Sequence, residues 1–227
     1  MDLFGQPQVE AKEHHDMDAV RQTIQTYDKI ASDYCTKTRQ SQFLDWEEGY
    51  IKELLSFIIE PSPLVLDVGC GDGRHSRLIE KNGGKAIGID LSRGMLEEAK
   101  HFYPHGDFRE MDMRQLHFTD NFFDGIWASG SIYHVTKSDI KKVIKEFNRV
   151  IRRDGVVAVS FKLGHGEGSE TDHKSYAGYP RYFAYYTVEE MRDLFDGFGF
   201  DQLESCNYPE AIYGDNNQQM WFRLNEK

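Results

Sequence analysis

Three glycines at alternate positions, Gly69, Gly71 and Gly73, follow an apolar run that is typical of a buried strand. Such a loop lets a ligand lie against bare backbone, because glycine has no Cβ atom. A helical pattern begins at Arg74, and the unpaired N–H groups of a helix start favour an electronegative ligand group. The loop is therefore the first candidate binding site in this chain.

An acidic residue follows this loop at the distance that a nucleoside site requires. The next apolar run ends in Asp90, 23 residues after Asp67. A carboxylate about 20 residues beyond a glycine-rich turn is placed to bind the two hydroxyls of a ribose. Asp90 could instead cap the next helix, but Ser92 is the better cap residue there. The dinucleotide pattern G-x-G-x-x-G is not met, because Arg74 stands where its third glycine should be.

The stretch over residues 67–73, an aspartate followed by alternate glycines, resembles the first motif of the class I S-adenosylmethionine-dependent methyltransferases. Further segments resemble later motifs of this family in the same order: Asp90-Leu91-Ser92 with Met95, Asp112-Met113, Phe123–Ala128 and Asp154-Gly155. The resemblance covers roughly residues 60–160. It implies S-adenosylmethionine as the cofactor and says almost nothing about the acceptor, because one fold serves many chemistries.

The resemblance assigns parts of the cofactor to particular residues. Its methionine part would lie along the glycine loop, where Asp67 would help to hold the ammonium group directly or through water. Its ribose would lie at Asp90 and its adenine amino group at Asp112. The expected cofactor-binding residues, including those of the two segments discussed next, are Tyr27, Tyr34, Asp67, Gly69, Cys70, Gly71, Gly73, Asp90, Leu91, Met95, Asp112, Met113 and Ser129. Met95 could equally be a core residue, Asp112 could be an ordinary turn residue, and Cys70 is interpreted as a small filler.

The N-terminal segment Tyr27–Tyr34 resembles the YD-x-x-A-x-x-Y stretch that closes over the cofactor in many enzymes of this family. Its two tyrosines, Tyr27 and Tyr34, would cover the cationic sulfonium group through cation–π contacts. The simpler interpretation is an amphipathic helix with aromatic packing. The same stretch also resembles the wobble-uridine tRNA methyltransferases, which keeps a tRNA base open as an alternative acceptor.

Polar side chains follow the fourth predicted strand, where the transferred methyl group should face its acceptor. Ser129, Tyr133 and His134 stand there. His134, with Tyr133 beside it, is the candidate catalytic residue, because a histidine at this place can remove a proton from the acceptor. The alternative is a histidine at a helix start that is bonded to the backbone.

The stretch from Tyr176 to Tyr186, YAGYPRYFAYY, holds too many aromatic residues for an ordinary loop. We interpret it as a loop that walls the acceptor pocket, because exposed aromatic residues on a loop usually have a partner. Its candidate acceptor-binding residues are Tyr182, Tyr185 and Arg181, the last as a contact for an anion. The alternative is a hydrophobic plug over the sheet edge.

The elements that must position these residues alternate along the chain from Val65 onward. Alternating strands and helices indicate an α/β fold, with a mostly parallel sheet and helices on both faces. The resemblance implies seven strands in the order 3-2-1-4-5-7-6, with the last one antiparallel. A helix with a basic outer face is predicted over residues 137–152. We interpret residues 1–45 as an N-terminal helical lid and residues 46–227 as one Rossmann-like methyltransferase domain.

The 227 residues carry a formal net charge of −11. This balance argues against general binding to nucleic acid or to an anionic membrane, because both require a basic footprint. The three cysteines are too scattered for a disulfide framework, and no segment has the spacing of a metal site. We therefore expect a cytoplasmic protein without a metal.

Together these observations predict an enzyme that transfers a methyl group in line from S-adenosylmethionine to a small-molecule acceptor, as a monomer or a homodimer. Two alternatives stay open: a tRNA-base methyltransferase, and a non-catalytic regulatory protein that binds S-adenosylmethionine. The intact glycine loop and the polar cluster after the fourth strand argue against the regulatory protein.

Overall fold

Helices and strands alternate in the computed structural model, which describes residues 8–39, 41–171, 176, 178–207 and 217–225, with side chains for all of these except 8–19 and 41–44. The helices are α1 (Gln8–Thr38), α2 (Ser41–Phe57), α3 (Arg74–Lys81), α4 (Arg93–Phe102), α5 (Ile140–Val150) and α6 (Val188–Asp196), with a short 3₁₀ helix over Ile132–His134. The strands are β1 (Leu64–Val68), β2 (Lys85–Asp90), β3 (Asp107–Glu110), β4 (Phe123–Ala128), β5 (Ile151–Leu163), β6 (Glu167–Glu170), β7 (Arg181–Tyr186), β8 (Phe200–Asn207) and β9 (Asn217–Leu224).

The sheet has the strand order that the sequence predicted. β3, β2, β1, β4 and β5 are parallel neighbours in that order. β9 then pairs antiparallel with β5, and β8 pairs antiparallel with β9. β9 therefore corresponds to the predicted strand 7, next to strand 5, and β8 corresponds to the predicted strand 6, at the edge of the sheet. The order reverses between β1 and β4, which opens a crevice at the carboxyl ends of these strands.

Two strands are additions to that plan, and they correct the prediction of an aromatic loop. β6 and β7 form an antiparallel hairpin, and β7 runs parallel to the last residues of β5, Lys162 and Leu163. Almost every residue of β7 is buried. A strand that is buried on both faces shows no alternation of polar and apolar residues, so its sequence lacks the usual strand pattern.

Helices cover both faces of the sheet. On one face α5 presents a buried row that includes Val143, Phe147 and Val150 to the main core, while its lysines face solvent. On the other face α2 and α3 close a second core around Trp127 and Trp221. The predicted helix over 137–152 is too long, because Ile151 already pairs with β4 as the start of β5. No helix in the described residues is both long and apolar enough to cross a membrane.

The N-terminal helix α1 lies across the carboxyl-end edge of the sheet and contacts α4 at one side and β7 at the other. Thr26 Oγ1 donates a hydrogen bond to the carbonyl of Pro180, and the amide of Tyr182 donates to Thr23 Oγ1. α1 is therefore held over the crevice by elements from both halves of the sheet.

Candidate active site

A cavity of about 770 Å³ lies under α1 at the carboxyl ends of the central strands. Sites for small molecules usually enclose about 300–1,000 Å³, so this one has room for a nucleoside cofactor and a small acceptor together. The predicted site residues that line it are Tyr27, Tyr34, Gly69, Cys70, Gly71, Asp90, Leu91, Met95, Asp112, Met113, Ser129, Tyr133, His134 and Arg181. Four other predicted residues, Asp67, Gly73, Tyr182 and Tyr185, are not among the described residues of its wall.

The glycine loop presents bare backbone to this cavity. Gly69 has a φ of 68°, and a Cβ atom there would lie 2.3 Å from the Cβ of Ser131. Gly73 also has a positive φ, but its missing Cβ makes room for the ring of Phe108 behind the loop. Gly73 therefore lets α3 begin close to the sheet and is not a wall residue, which corrects its predicted cofactor contact.

Asp90 joins the glycine loop to the start of α4. Its Oδ2 accepts a hydrogen bond of 3.0 Å from the amide of Gly71, and its Oδ1 accepts one of 2.8 Å from the amide of Ser92. The hydroxyl of Ser92 caps α4 by accepting from the amide of Met95, as the sequence predicted. Burial raises the pKa of Asp90, and backbone donors oppose that shift. A carboxylate has about four acceptor sites, so the amides of Gly71, Ser92 and Leu91 do not use all of them and a ligand hydroxyl can still bind.

Asp67 is buried below the loop and does not reach the cavity. Its Oδ2 accepts a hydrogen bond of 2.7 Å from the hydroxyl of Ser76, which ties β1 to α3. The predicted contact with the cofactor's ammonium group is therefore not direct. Cys70 lines the cavity and belongs to a small buried cluster with Leu96 and Phe108. Burial raises the pKa of its thiol well above the usual value.

The wall near the end of β3 carries a second carboxylate. Asp112 accepts hydrogen bonds from the amide of Arg114 and from its guanidinium, the shortest at 2.7 Å. It is thus both a turn residue and a cavity residue. Met95 lines the cavity as well and packs against Cys35 of α1.

α1 brings two tyrosines over the cavity and is fixed by an aspartate between them. The rings of Tyr27 and Tyr34 form an edge-to-face pair with centroids 5.5 Å apart. Asp28 Oδ1 accepts hydrogen bonds from the hydroxyl of Ser92 at 2.7 Å and from the amide of Gly94 at 3.0 Å. The segment that the sequence singled out therefore docks on the N-terminus of α4.

A buried charged cluster beside the loop was not expected from the sequence. The Nε and Nη2 atoms of Arg74 donate to the two carboxylate oxygens of Glu47 at 3.0 and 3.1 Å, and His75 Nε2 lies 3.2 Å from the same carboxylate. Burial alone would raise the pKa of Glu47, but Arg74 and His75 outweigh burial and hold that pKa well below its usual range. Glu47 lies 27 residues before Arg74, so no local spacing could have shown this contact.

His134 is held in one tautomer at the other end of the cavity. Its Nδ1 lies 2.6 Å from the carbonyl oxygen of Tyr182, which can only accept, so Nδ1 carries the hydrogen. In the neutral ring Nε2 is then an acceptor, and it lies 3.0 Å from the hydroxyl of Tyr27. Burial raises the pKa of Tyr27, and nearby Arg181 opposes that shift. Tyr133 packs edge-to-face on the imidazole at 4.7 Å.

The alternation of side chains along β7 decides which of its residues reach the cavity. Arg181 and Phe183 line it, whereas Tyr182 points to the opposite face, into the main core, and donates to Glu167. Tyr185 lies on the same face as Arg181 but bonds to Glu170 beyond the cavity. The predicted contacts of Tyr182 and Tyr185 are therefore corrected. Lys162 of β5 lines the cavity too and was not predicted.

Residues 65–155 match the model of a family described as a methyltransferase domain. The chain contains a class I S-adenosylmethionine-dependent methyltransferase domain. The chain is 30% identical over 139 residues to demethylmenaquinone methyltransferase of Symbiobacterium thermophilum, a match that covers 55% of each chain. It is 34% identical over 102 residues to malonyl-[acyl-carrier protein] O-methyltransferase of Buchnera aphidicola, covering 45% of this chain and 40% of that one. The chain thus spans about half the length of these curated relatives.

The fold extends the likeness over nearly the whole chain. The structure of 1,6-didemethyltoxoflavin-N1-methyltransferase from Burkholderia thailandensis, with bound 1,6-didemethyltoxoflavin and S-adenosylhomocysteine, superposes with a TM-score of 0.72. The match covers 93% of this chain and 90% of that one at 18% identity. At this identity the two proteins share their fold, including the elements outside the methyltransferase domain match.

Proposed function

We propose that this protein transfers the methyl group of S-adenosylmethionine to a small molecule bound at the His134 end of the cavity. The observation that carries the proposal is one cavity with two chemically different ends. One end has the glycine loop and Asp90; the other has aromatic rings and the imidazole of His134. The curated relative named demethylmenaquinone methyltransferase supports a small acceptor.

The residues at the loop end fit the cofactor. The left-handed backbone of Gly69 and Gly71 leaves a surface on which its methionine part can lie, and Asp90 has free acceptor sites for the ribose hydroxyls. Asp112 and Met113 would border the adenine. When bound, S-adenosylmethionine supplies an electrophilic methyl group on a sulfonium centre.

The protein's own task is to orient the acceptor, exclude water and hold a proton when one is released. Tyr27 and Tyr34 offer ring faces to a cationic centre below α1. A protonated acceptor would give its proton to the Tyr27 oxygen as Tyr27 passes its own to Nε2 of His134, so the proton ends on the imidazole. An acceptor that arrives as an anion needs no such step.

The test uses methyl-labelled S-adenosylmethionine and a cell extract separated into small molecules, RNA and protein. We expect label in the small-molecule fraction, and calorimetry should show S-adenosylhomocysteine binding far more tightly than NAD. Label in RNA would favour the tRNA alternative. Cofactor binding without label in any fraction would favour a regulatory protein and contradict the proposal.

A further inference from the structure

Arg181 is a buried cation without an acidic partner in the described part of the chain. Only 5% of the residue is exposed, and its Nε and Nη2 atoms have no hydrogen-bond partner there. Its Nη1 atom lies 3.5 Å from the Tyr27 hydroxyl. Three rings surround the guanidinium, those of Tyr27, Tyr176 and Phe183, at 5.3–5.9 Å. A charge buried in this way is costly unless a ligand pairs with it.

The two unpaired atoms form one edge of the guanidinium. In another buried arginine of this chain, the same edge binds a carboxylate. In Arg74 the Nε and Nη2 atoms hold the two oxygens of the Glu47 carboxylate at 3.0 and 3.1 Å. This paired geometry is the one that a planar fork of donors offers to a carboxylate. Arg181 lines the cavity beside the Tyr27–His134 pair, and its corresponding edge is buried just behind this wall.

A second cation lies on the same ring as Arg181. The Nζ of Lys162 is 5.2 Å from the centroid of Phe183, and the Cζ of Arg181 is 5.3 Å from it. Burial lowers the pKa of Lys162 and the charge of Arg181 lowers it further, while Glu170 opposes both. Glu170 also accepts a hydrogen bond from Tyr185. This end of the cavity is therefore positive in a molecule whose formal net charge is −11.

We propose that the acceptor is an anionic small molecule whose carboxylate binds the Nε/Nη2 edge of Arg181 and whose flat body packs on Phe183 and Tyr133. This inference rests on the proposed function and names its substrate class. The carboxylate could also belong to the cofactor. The acceptor is favoured because Arg181 stands on β7, beside His134, whose ring is bonded to the next residue of the same strand.

The experiment measures binding, so that it does not depend on turnover. Protein saturated with S-adenosylhomocysteine is titrated with benzoate, phenylacetate and salicylate, and with their uncharged amides. At least one acid should bind more tightly than its amide, by about ten- to hundred-fold, because hydrogen bonds to charged groups are the strong ones. This preference should disappear in Arg181→Met and be reduced in Arg181→Lys, which keeps the charge and loses the fork. Arg192→Met is the matched control, because Arg192 is half-exposed on α6 and outside the cavity wall.

Two further measurements tell an acceptor carboxylate from the cofactor's own carboxylate, and a lost contact from an unfolded variant. The affinity for S-adenosylhomocysteine should not change in Arg181→Met; a loss there with unchanged acid binding would assign Arg181 to the cofactor and overturn the inference. Arg181→Met should melt at the wild-type temperature or above it, since it removes an uncompensated buried charge. Acids that bind no better than amides, or a preference that survives in Arg181→Met, would also overturn it. The proposed function would fail separately, if no fraction takes up label.

Discussion

The Asp90 carboxylate serves the fold and the cavity at once. It bonds the amides of Gly71 and Ser92, which fixes the glycine loop against the start of α4. Asp90 also lines the cavity, where a ribose would lie. A substitution therefore removes ligand contacts and also releases one backbone amide of the loop.

Asp90→Ala should weaken the binding of S-adenosylhomocysteine by about 1.5–3 kcal/mol, the usual range for a hydrogen bond to a charged group. Isothermal titration of the folded variant measures this change. Glu110→Ala is the control, because Glu110 ends the neighbouring strand β3 with an exposed carboxylate outside the cavity wall. If Asp90→Ala binds like wild type, Asp90 is only a structural residue.

Tyr27 and His134 should act as one unit in methyl transfer to a protonated acceptor. His134→Asn should lower kcat by about a hundred-fold or more, the range of general base catalysis, and Tyr27→Phe by less. The double variant should be no slower than His134→Asn alone, because each change breaks the same hydrogen bond. Tyr103→Phe, which removes a hydroxyl outside the cavity wall, is the control. Independent, additive losses would disprove the relay.

Residues that depend on local motifs could be predicted, and residues that depend on distant contacts could not. Gly69, Gly71 and Asp90 lie at the cavity because strand ends and their loops fix them within the motif. Glu47 and Lys162 come from other elements, and no spacing in the chain links them to the site. Asp67 fits its motif position, yet its side chain turns to Ser76 and away from the cavity.

Asp28 makes the hydrogen bonds of helix α1 to the N-terminus of α4, beside the packing of Cys35 on Met95. Asp28→Ala removes two hydrogen bonds, and Gly94→Ala tests the same contact from the other side. A Cβ at Gly94 would lie 2.9 Å from the carbonyl oxygen of Asp28, so α1 must shift. Both variants should weaken S-adenosylhomocysteine binding by roughly 1–2 kcal/mol, a typical cost for losing helix-end contacts.

Hydrogen exchange provides the second measurement for this contact. Amides of α1 should exchange faster in both variants, while those of β1 and β4 should not change. Asp33→Ala is the control on the same helix, because Asp33 pairs only with exposed Lys37 among the described contacts. Unchanged exchange in α1 would mean that the β7 side alone holds the helix.

At the scale of elements, the sequence predicted the parallel strands and missed the hairpin. β1 and β4 are short apolar runs between turns and helices, which is a clear strand signal in an α/β chain. β7 pairs with β5 over only two residues, and its partner β6 has the polar sequence EGSE. Such a strand exists because of tertiary contacts that a local pattern does not contain.

The Glu47 pair should give the whole molecule a defined acid sensitivity. Because the folded-state pKa of Glu47 lies below its ordinary value of 4.5, the pair stabilises the fold fully above that value. The contribution is lost as the pH falls through the folded-state pKa. Glu47→Gln should therefore cost about 1–3 kcal/mol of unfolding free energy at neutral pH, because Arg74 stays buried and, of its two described carboxylate partners, keeps only that of Asp72, 3.3 Å from its Nη1.

Urea unfolding at a series of pH values checks this expectation. The difference between wild type and Glu47→Gln should be constant above about pH 5 and shrink below pH 4.5, the ordinary value of the carboxyl. Glu48→Gln, on the same helix but paired with exposed lysines, should cost about 0.2–1 kcal/mol. A difference that stays constant to pH 3 would show that the charge of Glu47 does not matter.

The composition predicted the average charge of the molecular surface but not the charges inside the cavity. A formal charge of −11 describes the average surface, and it argues against a nucleic-acid footprint. A net charge does not say where the charged residues lie, so it could not show that Lys162 and Arg181 stand together at one end of an internal cavity.

The position of α1 is expected to couple the binding of the cofactor at one end of the cavity to the binding of the acceptor at the other. The helix meets α4 through Asp28, β7 through Thr23 and the preceding Pro180 through Thr26, so ligands at both ends would bear on the docking of one helix. A cofactor that favours the docked helix then also favours the acceptor, and linkage requires the acceptor to tighten cofactor binding by the same factor. We expect the acceptor to prefer the loaded protein, and S-adenosylhomocysteine to leave most slowly while methylated product is still bound.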